Sequence, residues 1–98
     1  MKVYQVVIRR EAELDLRFAY EWYEEQIKGL GSEFLRSVEA SIFSIQRSPE
    51  LCSKIHKNIR RHLVRKFPYG VFYLIDEEKV VVLGVFHVRR DPEQWKGR

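Results

Sequence analysis

Cationic side chains are concentrated in the second half of this 98-residue sequence. Residues 1–52 hold seven Lys/Arg and nine Asp/Glu, whereas residues 53–98 hold 11 Lys/Arg and five Asp/Glu, which gives net charges of −2 and +6. Arginine binds phosphate and carboxylate groups through paired hydrogen bonds. The basic stretches 60–69 and 86–95 therefore predict a surface for a polyanion or an acidic partner, with a merely solvated basic surface as the alternative.

His87 follows an apolar run and precedes the pair Arg89 and Arg90. Histidine is the side chain that titrates near neutral pH without perturbation, so His87 could transfer a proton while arginines stabilise a crowded phosphate. The alternative is a histidine at a strand end that hydrogen-bonds locally. A purely electrostatic role of the arginines is equally compatible with the pattern.

Several classes of protein are excluded by what the sequence lacks. It contains no Walker loop, HExxH, CxxC or nucleophile elbow. Its single cysteine, Cys52, excludes an intramolecular disulfide and a cysteine-based metal cage, and we predict neither a metal nor a cofactor. No run of 18 apolar residues predicts a membrane span, and residues 1–5 do not resemble a signal peptide, so we expect a cytoplasmic protein.

We predict a single domain, residues 1–98. The spacing of its apolar residues predicts the helices and strands that position the candidate site residues. Val3–Ile8 is predicted as a strand, and a helix follows from about Arg10 to the break at Gly29-Leu30-Gly31. A second helix, with Ser32 as N-cap, ends at Ser48-Pro49. The faces predicted to be buried comprise Ala12, Leu16, Ala19, Tyr20, Tyr23 and Ile27 on the first helix, and Phe34, Leu35, Val38, Ile42 and Ile45 on the second.

Three strands are predicted in the second half, after a loop at residues 50–56. The first alternates from Ile59 to Phe67, the second is Val71–Ile75, and the third, Val80–Phe86, is apolar enough to be buried on both faces. The order β-α-α-β-β-β predicts an α+β domain in which a two-helix hairpin packs on one face of an antiparallel-rich sheet.

The first helix carries a second apolar stripe, formed by Leu14, Phe18 and Trp22 at four-residue spacing. These side chains are either core residues or the wall of a groove for a partner helix. Two stripes exceed what one sheet can cover, so we predict a groove.

Motifs along almost the whole chain resemble the RelE/ParE superfamily, the toxins of type II toxin–antitoxin systems. The first helix resembles the family's opening pattern through Ala12, Asp15-Leu16 and Tyr23, and the helix–turn–helix hairpin through Gly29-Leu30-Gly31 with Phe34-Leu35. The most specific motifs are Arg60-Arg61, Phe67-Pro68-Tyr69 with Tyr73, and the closing run from His87 to Trp95. This closing run resembles the plasmid-stabilisation, ParE-like subgroup.

The resemblance implies a toxin that poisons an essential process and is neutralised by a cognate antitoxin, as a homodimer or as a heterotetramer with the antitoxin. ParE-like members inhibit DNA gyrase by protein binding, whereas RelE-like members are metal-free, ribosome-dependent mRNA endoribonucleases. We favour the ParE-like function, with the ribonuclease as one alternative and a non-toxic basic binding domain as another.

The resemblance also suggests site residues. A ribonuclease would use Arg61 and Arg65 of the second predicted strand, Arg89 after the fourth strand, and His87 as acid or base. Gly70 and Trp95, however, stand where the ribonucleases tend to carry arginine and tyrosine. The residues predicted to bind the target or a polyanion are Arg60, Arg61, Arg65, Arg89, Arg90 and Trp95, and those predicted to bind the antitoxin are Leu14, Phe18 and Trp22.

Overall fold

The computed structural model describes residues 3–89 and 93–98, without the side chains of Glu93 and Gln94. The elements in chain order are β1 (Gln5–Ile8), α1 (Arg10–Gln26), α2 (Leu30–Arg47), β2 (Lys54–His56), β3 (Ile59–Leu63), β4 (Tyr69–Asp76), β5 (Lys79–His87) and the short α3 (Glu93–Lys96). The predicted α+β class is confirmed, and the described elements include one strand more than the sequence pattern indicated.

The five strands form one sheet in the order β1-β5-β4-β3-β2. Strand β1 runs parallel to β5, and the remaining neighbours are antiparallel. The additional strand is β2, which pairs with β3 and occupies the end of the predicted loop 50–56. Strand β5 lies between β1 and β4, as its apolar composition predicted.

The second predicted strand is shorter than its alternating pattern suggested. Strand β3 ends at Leu63 rather than Phe67, because Lys66 adopts a left-handed φ of 71° and the chain reverses there. The Val64 N–H donates to the Tyr69 carbonyl at 2.8 Å, which closes the reversal. Arg65 therefore lies in the β3–β4 connection and not on a strand.

Helices α1 and α2 form a tight hairpin whose turn is held by a carboxylate. The two Glu24 oxygens accept hydrogen bonds from the N–H groups of Gly29 at 2.9 Å and Gly31 at 3.0 Å. Gly29, with a φ of 93°, is the N-cap residue of α2, so the prediction of Ser32 as N-cap is wrong. A carboxylate satisfies helix N-terminal donors more strongly than a hydroxyl would.

The core occupies both faces of the sheet. One cluster, which includes Phe34, Val38, Ile45 and Tyr73, fills the space between the helices and the sheet. The second cluster comprises Ile59, Phe72, Leu83 and Phe86, with Trp95 of α3 packed against it. We call the face that carries the second cluster the open face. Ile27, which the helical period placed on the buried face of α1, is exposed because α1 ends at Gln26.

Candidate functional site

A groove of about 690 Å³ lies between helix α1 and the end of strand β5. The residues that line this α1–β5 groove are Asp15, Phe18, Ala19, Trp22, Tyr23, Pro68, Tyr69, Val85 and His87. Phe18 is 73% exposed and Trp22 56% exposed, and Leu14 on the same stripe is exposed as well. The interpretation of this stripe as core is therefore wrong, while its binding of an antitoxin stays a prediction.

A cluster of aromatic rings in tilted and edge-to-face contact lies beneath the groove. The Tyr23 ring lies 5.0 Å from that of Phe67, 5.3 Å from that of Phe34 and 6.0 Å from that of Tyr69, measured between centroids. Burial, and then the neighbouring Tyr69 phenol, raise the pKa of Tyr23 above its ordinary value, so the phenol stays protonated at neutral pH. The groove thus has a rigid, uncharged aromatic base beneath its exposed apolar wall.

A β-bulge decides which predicted site residues face this groove. The β4–β5 register shifts between Phe72 and Tyr73, so that Leu83 is an extra residue in β5. Side chains alternate along a strand, and an inserted residue moves each later side chain to the other face. Val82 and Val85 consequently both pack toward the helices, whereas Leu83 and Phe86 belong to the open face.

His87 therefore lies on the helix side of the sheet, at the end of the groove. It pairs with Tyr69, whose ring is 5.5 Å away, and its Nδ1 accepts a hydrogen bond from the Arg89 N–H at 3.1 Å. In a neutral imidazole this bond places the proton on Nε2. This bond agrees with the alternative to proton transfer, in which His87 is a strand-end histidine that hydrogen-bonds to its own segment.

Arg61 lies on the opposite side of the sheet. It pairs with Phe72 of the open face, and its side chain crosses strand β4 at Gly70. A Cβ atom at Gly70 would stand 2.9 Å from Arg61 Cγ and 3.1 Å from Arg61 Cδ. The absence of a side chain at position 70 therefore makes room for the stem of Arg61.

The other predicted target-binding residues are dispersed. Arg60 projects toward the segment after α2, where its Nη1 donates to the carbonyls of Glu50 at 3.1 Å and Cys52 at 2.5 Å. Arg65 is exposed and lines a depression of about 630 Å³ with Arg36 and Lys66. Arg60 thus holds the chain itself, while Arg65 presents charge on the α2 side.

The C-terminal members of the predicted set are Arg89, Arg90 and Trp95. Arg89 is exposed directly after β5, and Arg90 lies outside the described residues. The half-buried Trp95 ring stacks on Phe72 at 5.2 Å and lies 6.0 Å from the His56 ring. Trp95 thus anchors α3 to the open face, and its binding of a target remains a prediction.

The sequence-based interpretation missed the ion pair between Asp15 and Arg98, which has an N–O distance of 2.9 Å and is the only ion pair among the side chains that the structure describes. A signal was available, because the helical period places Asp15 beside Ala12 and Ala19 on the inward face of α1. A carboxylate on such a face requires a partner. In the part of the chain that the structure describes, no three His, Cys, Asp or Glu side chains are arranged to hold a metal ion.

The helices described here include none long and apolar enough to span a bilayer. The small mixed sheet with a helical hairpin on one face is the fold of RelE/ParE-like proteins. The family model described as ParE toxin of type II toxin–antitoxin system, parDE, matches residues 6–92. The chain therefore belongs to the ParE toxin family of type II toxin–antitoxin systems.

Solved structures with the same fold come from both branches of the superfamily. The chromosomal ParDE system of P. aeruginosa superposes with a TM-score of 0.77 at 12% identity, covering 87% of this chain and 96% of that one. The RelBE2 toxin–antitoxin complex of Mycobacterium tuberculosis superposes with a TM-score of 0.64 at 23% identity, and the match covers 87% of this chain and 98% of that one. A double-mutant E. coli RelE toxin in the free state superposes with a TM-score of 0.67 at 18% identity, and the match covers 89% of this chain and 85% of that one. Curated protein sequences give no match.

Proposed function

We propose that this toxin is a ParE-like inhibitor that acts in the cytoplasm by binding DNA gyrase and is held inactive by a cognate antitoxin. The observation that carries the proposal is the position of His87 and Arg61 on opposite faces of the sheet. The match to the ParE toxin family over residues 6–92 supports the same choice.

Metal-free cleavage of RNA requires its acid or base and its phosphate-binding cations around one phosphodiester. A proton-transferring group must come within about 2.6–3.2 Å of the atom it serves, or within one bridging water of it. The backbone of the β-sheet separates His87 from Arg61, whose side chains lie on opposite faces, so the two do not converge on one phosphate in this fold. Inhibition by surface contact has no such requirement.

The proposed target surface is the open face together with Arg89 and the short helix α3. Arg61 and Arg89 supply cations, and Trp95 supplies an aromatic ring beside Phe72. Arg, Trp and Tyr are the side chains that most often dominate protein interfaces. Arginine forks can bind carboxylates of a protein target as well as phosphates.

The proposed antitoxin surface is the α1–β5 groove. Leu14, Phe18 and Trp22 present an exposed apolar stripe at helical spacing, the geometry that receives an apolar helix or strand of a partner. Acidic antitoxin residues would then reach the cations of the second half of the chain. The structural similarity to the ParDE system and to the RelBE2 toxin–antitoxin complex supports a partner of this kind.

Induction of the chain alone in a bacterial host tests the proposal. We expect growth to stop, co-expression of the antitoxin to restore it, and purified toxin to inhibit supercoiling by DNA gyrase while mRNA 5′ ends remain unchanged. Normal growth with verified folded protein would instead favour a non-toxic binding domain.

New codon-associated mRNA ends with unaffected supercoiling would establish the ribonuclease instead of the gyrase inhibitor. In that case His87→Ala should reduce cleavage by on the order of 10²–10⁴ while the fold and the antitoxin affinity persist. The two assays, run on the same preparation, therefore separate the two poisoning modes.

A further inference from the structure

Strand β5 extends beyond its parallel neighbour β1. The side chains of Asp15 and Arg98 form hydrogen bonds with the backbone of β5 along the edge that β1 leaves unpaired. Pairing with β1 ends at Ile8 and Val82, and none of the described strands pairs with residues 83–87 on that side. There the Val85 N–H donates to Asp15 Oδ2 at 3.1 Å, and Arg98 Nη1 donates to the Leu83 carbonyl at 3.0 Å. Side chains thus replace the missing strand.

Asp15 and Arg98 also bind each other through two parallel hydrogen bonds. Arg98 Nη1 lies 2.9 Å from Asp15 Oδ2, and Nη2 lies 3.2 Å from Oδ1. The Asp15 side chain is 13% exposed and that of Arg98 is 23% exposed, so water screens the pair only partly. The guanidinium carbon is 4.6 Å from the centre of the Phe86 ring, a cation–π distance.

Gly84 permits this approach. A Cβ atom at that position would stand 2.6 Å from a carbon of the Phe86 ring and 3.0 Å from Arg98 Nη1. The Arg98 carbonyl in turn accepts a hydrogen bond from Arg9 Nη1 at 3.3 Å, at the start of α1. Residue 98 is therefore bound through both its side chain and its main chain.

The segment 93–98 is held at two separate places. Trp95 stacks on Phe72 of the open face, and Arg98 reaches around the edge of β5 to Asp15 on α1. The Arg98 N–H donates to the Trp95 carbonyl at 3.1 Å, which joins the two anchors within one turn of chain. The ion pair thus adds a second anchor to the Trp95–Phe72 stack.

We propose that Asp15 and Arg98 form a clamp that positions residues 95–98, and Trp95 in particular, for contact with the target, which makes both of them positioning residues. The inference rests on the proposed function, in which Trp95 contacts the target. Ordering a segment before binding removes an entropic cost from association. Loss of the clamp should therefore weaken poisoning while the core remains folded.

Replacing Arg98 by lysine tests the clamp, because lysine keeps the charge but cannot form two parallel hydrogen bonds to a carboxylate. In a Trp22→Phe background, Trp95 is the only tryptophan, and we expect acrylamide to quench its fluorescence roughly twofold more efficiently once the clamp is lost. In the otherwise unchanged chain, Arg98→Lys should raise the induction level needed for growth arrest roughly tenfold.

Arg17→Lys is the matched control, because Arg17 is an exposed arginine of α1 with no hydrogen bond or ion pair among the described side chains. It should change neither quenching nor toxicity. Asp15→Asn should have an effect similar to that of Arg98→Lys, and the double variant should show less than the sum of the two effects, because both substitutions remove the same ion pair.

The proposal is overturned if Arg98→Lys and Asp15→Asn both leave the quenching of Trp95 unchanged, or if their effects on toxicity simply add. If one variant fails to fold, the other still decides. A wild-type toxin that arrests growth without inhibiting gyrase would refute the proposed target alone, because the quenching and growth measurements do not depend on gyrase.

Discussion

His62 is a half-buried histidine on the helix side of strand β3. It pairs with Val71 of the core, and its Nδ1 is the one buried side-chain nitrogen or oxygen among the described residues that lacks a hydrogen-bond partner. Charging an imidazole in such a place carries a desolvation cost, which a backbone hydrogen bond at Leu63 offsets only in part. Burial accordingly lowers the pKa of His62 below its ordinary value of 6.5.

This lowered pKa predicts a loss of stability in mild acid. Between the folded and the unfolded pKa of His62 the unfolded chain binds more protons, so the free energy of unfolding falls as the pH falls below about 6.5. Above that pH this contribution is complete. Urea unfolding measured from pH 5.5 to 8 checks the slope.

His62→Gln is the comparison, because glutamine does not titrate in this range. The variant should lose the part of the pH dependence that lies below about 6.5. A variant with the same slope as the original chain would show that another group is responsible.

At the scale of elements, the turn between α1 and α2 depends on its glycines and on one side chain from the preceding helix, Glu24. The glycines at positions 29 and 31 marked the break correctly. The hydrogen bonds of that break come from Glu24, five and seven residues earlier, and Gly31 lets the Tyr20 carbonyl approach to 2.7 Å of where a Cβ would stand. The hairpin angle therefore depends on Glu24 as much as on the glycines.

Glu24→Ala should lower the free energy of unfolding by about 1–2 kcal/mol, because two N–H groups at the start of α2 lose a charged acceptor. Chemical denaturation at neutral pH measures the change. Glu25→Ala is the matched control, since Glu25 is exposed on the same turn, and it should be nearly neutral. Equal losses in both variants would refute a capping role for Glu24.

At the scale of the whole molecule, the sheet separates two surfaces. The α1–β5 groove lies on the helix side, and Arg61 with the Trp95–Phe72 stack lies on the open face. A single small domain can thereby present different chemistry to two partners. The apolar groove suits the proposed antitoxin segment, and Arg61 beside the Trp95–Phe72 stack suits an acidic or phosphate-bearing target.

Single substitutions should separate the two surfaces. Trp22→Ala should weaken the antitoxin complex by roughly 1–3 kcal/mol, because Trp22 is a large exposed apolar anchor. Arg61→Ala should reduce toxicity and leave the antitoxin affinity nearly unchanged, because Arg61 faces away from the groove. Titration calorimetry with the antitoxin and growth after induction measure the two effects.

Phe43→Ala supplies the control for the first of these changes. Phe43 is 61% exposed on α2, outside the groove, and its removal should not alter antitoxin binding. If Trp22→Ala unfolds the isolated domain, or if Arg61→Ala weakens the antitoxin complex as much as Trp22→Ala does, the two surfaces are not separate.

The sequence by itself determined the features that depend on local periodicity. The 3.6-residue pattern of α1 and α2, the proline after α2 and the apolar run of β5 each specify an element through its own residues, and the motifs in their order identified the superfamily. The second apolar stripe on α1, formed by Leu14, Phe18 and Trp22, could be recognised for the same reason. The four-residue spacing shows the stripe, whereas only the structure shows that its side chains are exposed.

Only the tertiary structure decided which side chains meet. The extra residue Leu83 in β5 turns His87 toward the helices and away from Arg61, and a simple alternation along β5 would have placed both on one face. The partner of Asp15 lies 83 residues away, so no local pattern could reveal it. Register, bulges and distant ion pairs arise from the packing of whole elements against one another, and that packing determines which chemistry the residues can perform.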